Sequence, residues 1–107
     1  MKRRYPNTRA RRLRSKTSIR NLVKETSLNT NDLIQPVFLV NGKNKKQKIK
    51  SMPDIERVSI DNAIKYIRKL KNLGVGGIAL FPHIERKLKS SDASESYNPD
   101  GLIQRAI

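Results

Sequence analysis

The 107-residue chain has no cysteine and no tryptophan, one histidine, and an aromatic content of 5%. Without cysteine there is no disulfide framework, no thiolate metal site and no cysteine nucleophile among these residues. Acidic residues are scarce as well. Nine Asp and Glu stand against 24 Lys and Arg, and the formal net charge of +15 excludes an acidic or neutral globule. No apolar run approaches the length of a membrane-spanning helix. The longest, at residues 33–40 and 77–81, are strand-sized, so no membrane partner is expected. The 36% of apolar residues cluster instead of scattering, and a mean hydropathy of -0.69 still leaves part of the chain able to build a core.

Ten of the cations fall within residues 1–24, which contain no acid. That stretch lacks the apolar core of a secretory signal, and although an Arg-rich, acid-poor start is compatible with an organelle transit peptide, the reading adopted is a cytoplasmic protein. Residues 1–17, interrupted by Pro6, cannot bury enough apolar surface to order themselves and read as an arm in need of a partner surface. Ile19, Leu22 and Val23 then offer one short helical stripe, with Ser18 available as its cap. Asn29 to Asp32 is a turn cluster.

The run Leu33-Ile34-Gln35-Pro36-Val37-Phe38-Leu39-Val40 is rich in β-formers and bounded by Asn41-Gly42. Pro36 would ordinarily move such a strand to a sheet edge, or sit near its start or at a bulge. Residues 43–50 hold five lysines with Ile49 as the one apolar residue, a solvated loop or short ribbon closed by the turn Ser51-Met52-Pro53-Asp54. The clearest element follows. Ile60, Ala63, Ile64, Ile67, Leu70 and Leu73 recur at helical steps, Ser59 can cap, Asp61 suits the first turn, Lys69 and Lys71 suit the last, and Gly74 ends the helix.

Gly77-Ile78-Ala79-Leu80-Phe81 is continuously apolar, as expected of a parallel strand buried on both faces, so strand, helix and strand make a βαβ unit. Asn98-Pro99 reads as cap and first position of a second helix, with Leu102, Ile103, Ala106 and Ile107 as its apolar stripe. One βαβ unit cannot cover both faces of its own sheet. The expectation is therefore an incomplete α/β fold, the front of a longer protein.

Chemistry is thin. The glycines of Gly74-Val75-Gly76-Gly77 follow a helix and precede a strand, the reverse of a phosphate-cradling loop, so a helix C-cap and close backbone packing explain them better. His83 lies just past the second apolar run, where barrel enzymes collect catalytic groups, but it has no Ser, Cys or second His beside it. Glu85, Asp92, Glu95 and Asp100 have no metal-ligand spacing. The two basic clusters could neutralise phosphates, yet Tyr5 is the one aromatic in the arm and no RNA-recognition motif is present. A basic RNA-binding or ribosome-associated protein is thus the alternative to an enzyme segment.

Specific strings favour the enzyme. Arg11-Arg12-Leu13-Arg14, Leu22-Val23-Lys24-Glu25-Thr26, Asp32 to Val40, Ile49-Lys50-Ser51-Met52-Pro53, Leu80-Phe81-Pro82 and Ser94-Glu95-Ser96-Tyr97-Asn98-Pro99-Asp100-Gly101-Leu102-Ile103-Gln104-Arg105-Ala106-Ile107 occur in order. Together they resemble the N-terminal third of the porphobilinogen synthases, also called delta-aminolevulinic acid dehydratases. The Ser-Met-Pro turn and the Tyr-Asn-Pro-Asp-Gly-Leu string are the specific parts.

The resemblance implies the α/β class: an N-terminal arm plus the first β-α-β-α portion of a (β/α)8 TIM barrel, truncated. Residues 1–31 would be the basic arm with its short helix. Residues 32–107 would hold strand 1, the basic loop, helix 1, strand 2 and the start of helix 2. It implies a hydro-lyase that condenses two 5-aminolevulinate molecules into porphobilinogen with loss of water, in haem biosynthesis, through lysines that form Schiff bases. It also implies zinc or magnesium in the full-length protein and a homo-oligomer, commonly an octamer, held through the arm. The family's reactive lysines, metal segment and substrate-carboxylate binders belong to motifs that have no counterpart in residues 1–107. No catalytic, cofactor-binding or metal-ligating residue is assigned here, no cofactor is expected on this segment, no specific nucleic acid is expected, and the segment alone is expected to be inactive.

Overall fold

The computed structural model describes residues 4–6, 8 and 11–107. The basic-arm reading falls partly on residues 1–3, 7, 9 and 10, which lie outside that set. A single 3-10 turn at Arg12–Arg14 leads into α1, Thr17–Val23, whose N-cap is Lys16 and not the expected Ser18. The Thr17 hydroxyl at the helix start is engaged by the Arg20 guanidinium at 2.9 Å. Leu22 on the expected apolar stripe is 84% exposed and Ile19 half-buried, and α1 packs against the turn at Arg12–Arg14.

Four strands make one mixed sheet: β1, Ile34–Leu39; β2, Lys46–Lys48; β3, Glu56–Val58; and β4, Gly77–Pro82. Their order is β2-β3-β1-β4. β1 and β4 run parallel in full register from Ile34 opposite Gly77 to Leu39 opposite Pro82, as the two apolar runs predict. The basic loop is more ordered than its composition suggests. β2 and β3 pair antiparallel as a hairpin, and β3 lies parallel to β1 at Phe38 and Leu39.

Pro36 therefore sits in a central strand. The Val40 N–H donates to the Val58 carbonyl at 3.0 Å, so the even-numbered residues of this strand point their backbone groups toward β3. Pairing on that side begins only at Phe38, and the N–H that Pro36 lacks falls where no ladder bond is made.

Helix α2, Ile60–Asn72, crosses one face of the sheet. Ala63 and Leu70 are buried, and Ile60 and Ile67 pack beside Val37 and Leu39 of β1. Ile64, expected in the core, is 47% exposed, because it lies on the shoulder of the stripe formed by residues 60, 63, 67 and 70. The helix ends as Gly74 requires. Gly74 has φ +79, its N–H donates to the Lys71 carbonyl at 3.0 Å, and the Val75 N–H reaches the Leu70 carbonyl at 3.1 Å. This paired pattern is a Schellman motif, which needs a left-handed residue at the first position past the cap.

The expected second helix does not form. Asn98 does act as a turn former, its side-chain oxygen accepting the Asp100 N–H at 3.0 Å. After it, only Arg105 to Gly101 and Ile107 to Ile103 make i to i-4 backbone bonds, while Ala106 bonds back to Ile103, and residues 101–106 are bends and turns. Gly101 in what would be the first helical turn weighs against the helix. Its apolar side chains nevertheless complete the core: Leu102 is 3% exposed, and Ile103 and Ala106 pack around it.

Candidate functional site at the ends of the parallel strands

In sheets of this kind ligand chemistry gathers beyond the carboxyl ends of parallel strands. Here that end is formed by residues 40–45 after β1, the Ser59 junction after β3 and residues 83–88 after β4. Three bonds tie these loops to the scaffold. The His83 N–H donates to the Leu39 carbonyl at 2.7 Å, the Ser59 N–H donates to the Lys45 carbonyl at 3.1 Å, and Arg105 donates to the Asn41 side-chain oxygen at 2.6 Å.

Ser59 and Asn62 are the two buried polar residues among the described residues. Ser59 occupies the N-cap position as expected, but its hydroxyl makes no capping bond; it accepts the Lys45 N–H at 2.9 Å instead. The Asn62 amide donates to the Lys45 carbonyl at 3.2 Å, so the pair fastens the basic loop to the start of α2. Asp61 completes the clamp by accepting the Asn44 N–H at 3.0 Å. The Ser59 hydroxyl, followed by the Asn44 N–H, holds the Asp61 carboxyl below the usual aspartate range. Neither Ser59 nor Asn62 was flagged for this role by sequence: Ser59 was read as a helix cap, and Asn62 lies off the apolar stripe, beside Lys65 and Tyr66, where a polar residue carries no signal.

Each chemistry-bearing residue singled out in the sequence is found on the surface. His83 is exposed at the end of β4. Glu85 pairs with Lys87 at 2.9 Å, and that hydrogen bond and charge, with weaker contributions from Lys45 and His83, hold its carboxyl below the usual range. Asp92 accepts from the Ser90 hydroxyl at 2.5 Å, which lowers it likewise, and Glu95 accepts from the Asn98 amide at 3.1 Å. These carboxylates organise their own turns. The structure brings His83, Glu85, Lys87 and Lys45 to one rim, and it does not bring Asp92 or Glu95 into the same bonded cluster.

A zinc or magnesium ion does not fit this donor set. The chain has no cysteine, and among the described residues no three His, Asp or Glu gather where they could hold a metal. Beside α2, a hollow of about 300 Å³ opens where β3 is too short to cover β1, lined by Pro36, Phe38, Glu56, Lys65 and Tyr66 among others. The opposite sheet face carries Ile34, Pro36, Phe38 and Phe81, with the Phe38 and Phe81 ring centroids 5.6 Å apart.

The architecture defines an α/β unit with a small mixed sheet, one face packed on a helix and its loops gathered at the carboxyl ends of the parallel strands. The chain belongs to the delta-aminolevulinic acid dehydratase family, whose model matches residues 7–107. It is 40% identical over 99 residues to a delta-aminolevulinic acid dehydratase of Bradyrhizobium diazoefficiens, covering 92% of this chain and 28% of the relative. To that of Methanothermus sociabilis it is 42% identical over 103 residues, covering 96% and 32%. Its fold is similar to the crystal structure of the Toxoplasma gondii ME49 enzyme, also called porphobilinogen synthase, in complex with the reaction product porphobilinogen. The TM-score is 0.84 at 37% identity, over 92% of this chain and 28% of that one. The chain thus spans under a third of the length of these relatives.

Proposed function

We propose that residues 1–107 are the opening part of a porphobilinogen synthase, a hydro-lyase that condenses two 5-aminolevulinate molecules into porphobilinogen with loss of water. The observation that carries this reading is the close structural likeness, at 37% identity, to an enzyme solved with porphobilinogen bound. In this reading β1 and β4 are the first two strands of a (β/α)8 barrel, α2 is its first helix, and residues 1–31 are an arm that holds a neighbouring copy in a homo-oligomer, an octamer in the family's usual form. The exposed apolar residues Leu22 and Val23 of α1 support an arm that packs outside its own domain.

The residues present have a positioning role. The Ser59, Asn62 and Asp61 clamp fixes the loop after β1, and the Arg105 to Asn41 bond fixes residues 101–107 against it. The Schiff-base lysines and the metal ligands belong to the rest of the enzyme, and no lysine here is assigned to the chemistry.

The test is a chimera in which residues 1–107 replace the corresponding segment of the Methanothermus sociabilis enzyme. It is expected to form porphobilinogen from 5-aminolevulinate, while residues 1–107 alone, reduced with borohydride in the presence of substrate, gain no adduct mass. A chimera that folds and assembles yet makes no porphobilinogen would refute the assignment.

A further inference from the structure

The arm concentrates one kind of cation. Seven of the chain's eleven arginines lie within residues 1–24, whereas ten of its thirteen lysines lie beyond them. Three of those arginines, Arg11, Arg14 and Arg20, line one open hollow of about 480 Å³ together with Ser15. Of the three, Arg20 is the one held by side-chain hydrogen bonds. The Arg20 guanidinium turns back from α1, donating from Nη1 to the Arg14 carbonyl at 3.0 Å and from Nη2 to the Thr17 hydroxyl at 2.9 Å. A guanidinium has five N–H donors, so Arg20 is held in place with donors to spare. Ser15 sits beside it, its hydroxyl donating to the Arg12 carbonyl at 2.7 Å.

Nothing acidic answers these charges. The sequence has no Asp or Glu before Glu25, and the one ion pair among the described residues is Lys87 with Glu85. Like charges have thus been gathered around a hollow with no carboxylate to neutralise them. A single carboxylate offers two oxygens and satisfies one guanidinium fork. Three forks call for a ligand with more anionic oxygens, and guanidinium geometry matches phosphoryl oxygens two at a time.

We propose that Arg11, Arg14, Ser15 and Arg20 form a binding site for a diphosphate group, free or carried by a nucleotide. The Ser15 hydroxyl can exchange the Arg12 carbonyl for a phosphoryl oxygen. The proposal goes beyond the enzymatic reading.

The test is a titration of the whole chain, isotopically labelled, with inorganic diphosphate at constant ionic strength, followed by amide resonances. Saturable shifts confined to residues 11–20 are expected, with Kd on the order of 1 mM, as suits a few exposed charge-assisted bonds. Arg20→Gln should weaken binding about tenfold, and Arg11→Gln should do the same if the first variant disturbs α1. Lys46→Gln, an equal loss of charge on β2, should change Kd less than about twofold. Adenosine diphosphate binding like inorganic diphosphate would locate the contact in the phosphates, whereas adenosine producing the same shifts would contradict the proposal. Equal weakening by Arg20→Gln and Lys46→Gln, or shifts that never saturate, would reduce the site to diffuse charge and overturn it. A single-stranded RNA that bound more tightly than diphosphate and also shifted the lysines of residues 43–50 would overturn it in favour of a nucleic-acid surface.

Discussion

Substitution of Gly76 by alanine isolates a contact that carries no side chain at all. A Cβ on Gly76 would land on the Asn31 carbonyl, inside van der Waals contact with both its oxygen and its carbon. Neither partner can swing away, because both are backbone. Residues 29–32 are fixed by the Asn29 and Asp32 capping box, and the next residue, Gly77, donates to the Leu33 carbonyl at 3.2 Å to open the β1 and β4 ladder. Relieving the clash means shifting that turn or the start of β4. Overpacking of this sort costs about 1–3 kcal/mol, and losing the Gly77 to Leu33 bond adds about 1 kcal/mol, for about 2–4 kcal/mol together. Native-state hydrogen exchange reads this directly, since amides of β1 and β4 should exchange roughly 30- to 700-fold faster. The control is one residue away. At Gly77 an added Cβ meets the Ile34 Cγ1 at 3.7 Å, an ordinary contact, so Gly77→Ala should leave protection within about threefold. If the two variants exchanged alike, close backbone approach at Gly76 would not be the reason for the glycine.

Leu102→Ala, at 3% exposure, should cost about 2–4 kcal/mol in the same exchange measurement despite lying outside any helix, and a cost below about 1 kcal/mol would mean that residues 101–107 do not pack as described. Acid sensitivity follows from Asp61, whose carboxyl is held below its ordinary value of 3.8; a lowered folded value gives stability that is present above the unfolded value and lost as pH falls through the folded one. Amide protection of the loop at residues 43–45 should therefore hold from neutral pH down to about 4 and fall below it, and Asp61→Asn should flatten that decline. Ile34→Ser, at 70% exposure, should change the stability of this chain by less than about 0.5 kcal/mol. In the chimera the same substitution should destabilise the protein measurably, because the proposed barrel would bury that side chain.

The parts legible in the sequence were those in which one local signal decided the outcome. The helical spacing of residues 60, 63, 67 and 70 specified α2, the two apolar runs specified β1 and β4, and Gly74 marked the helix end. The β2 and β3 hairpin was legible only as one of two alternatives, a solvated loop or a short ribbon closed at residues 51–54, because Lys46-Gln47-Lys48 carries no apolar alternation to decide between them. It is held by backbone bonds across its own turn, such as Ile49 N–H to the Ile55 carbonyl at 3.1 Å, and by the Ser59 tether to Lys45, neither of which has a side-chain pattern to announce it. Residues 99–107 erred in the other direction: cap and stripe were present, but the backbone forms bends and turns there, with Gly101 in what would be the first helical turn. At the strand ends, His83 and Glu85 could be placed by sequence, but the Ser59 and Asn62 clamp could not. A polar residue in a helix looks solvent-facing until its partner loop is known.

The sheet itself argues for what must lie against it. In β1 and β4 the residues pointing toward α2, Val37, Leu39 and Leu80, are buried or half-buried, whereas those pointing away include Ile34 at 70% and Phe81 at 48% exposure. An antiparallel sheet open to water alternates apolar with polar; these strands are apolar on both faces, the composition of parallel strands covered on both sides. A barrel places exactly one such apolar face inward, and the proposed enzyme accounts for Ile34, Phe38 and Phe81 as lining of its interior. An RNA-binding module would leave that face unexplained, since most of the positive charge lies on the arm and on residues 43–50 while the open face is aliphatic and aromatic. Charge therefore describes the surface of this chain, and the uncovered side of β1 and β4 describes its fold.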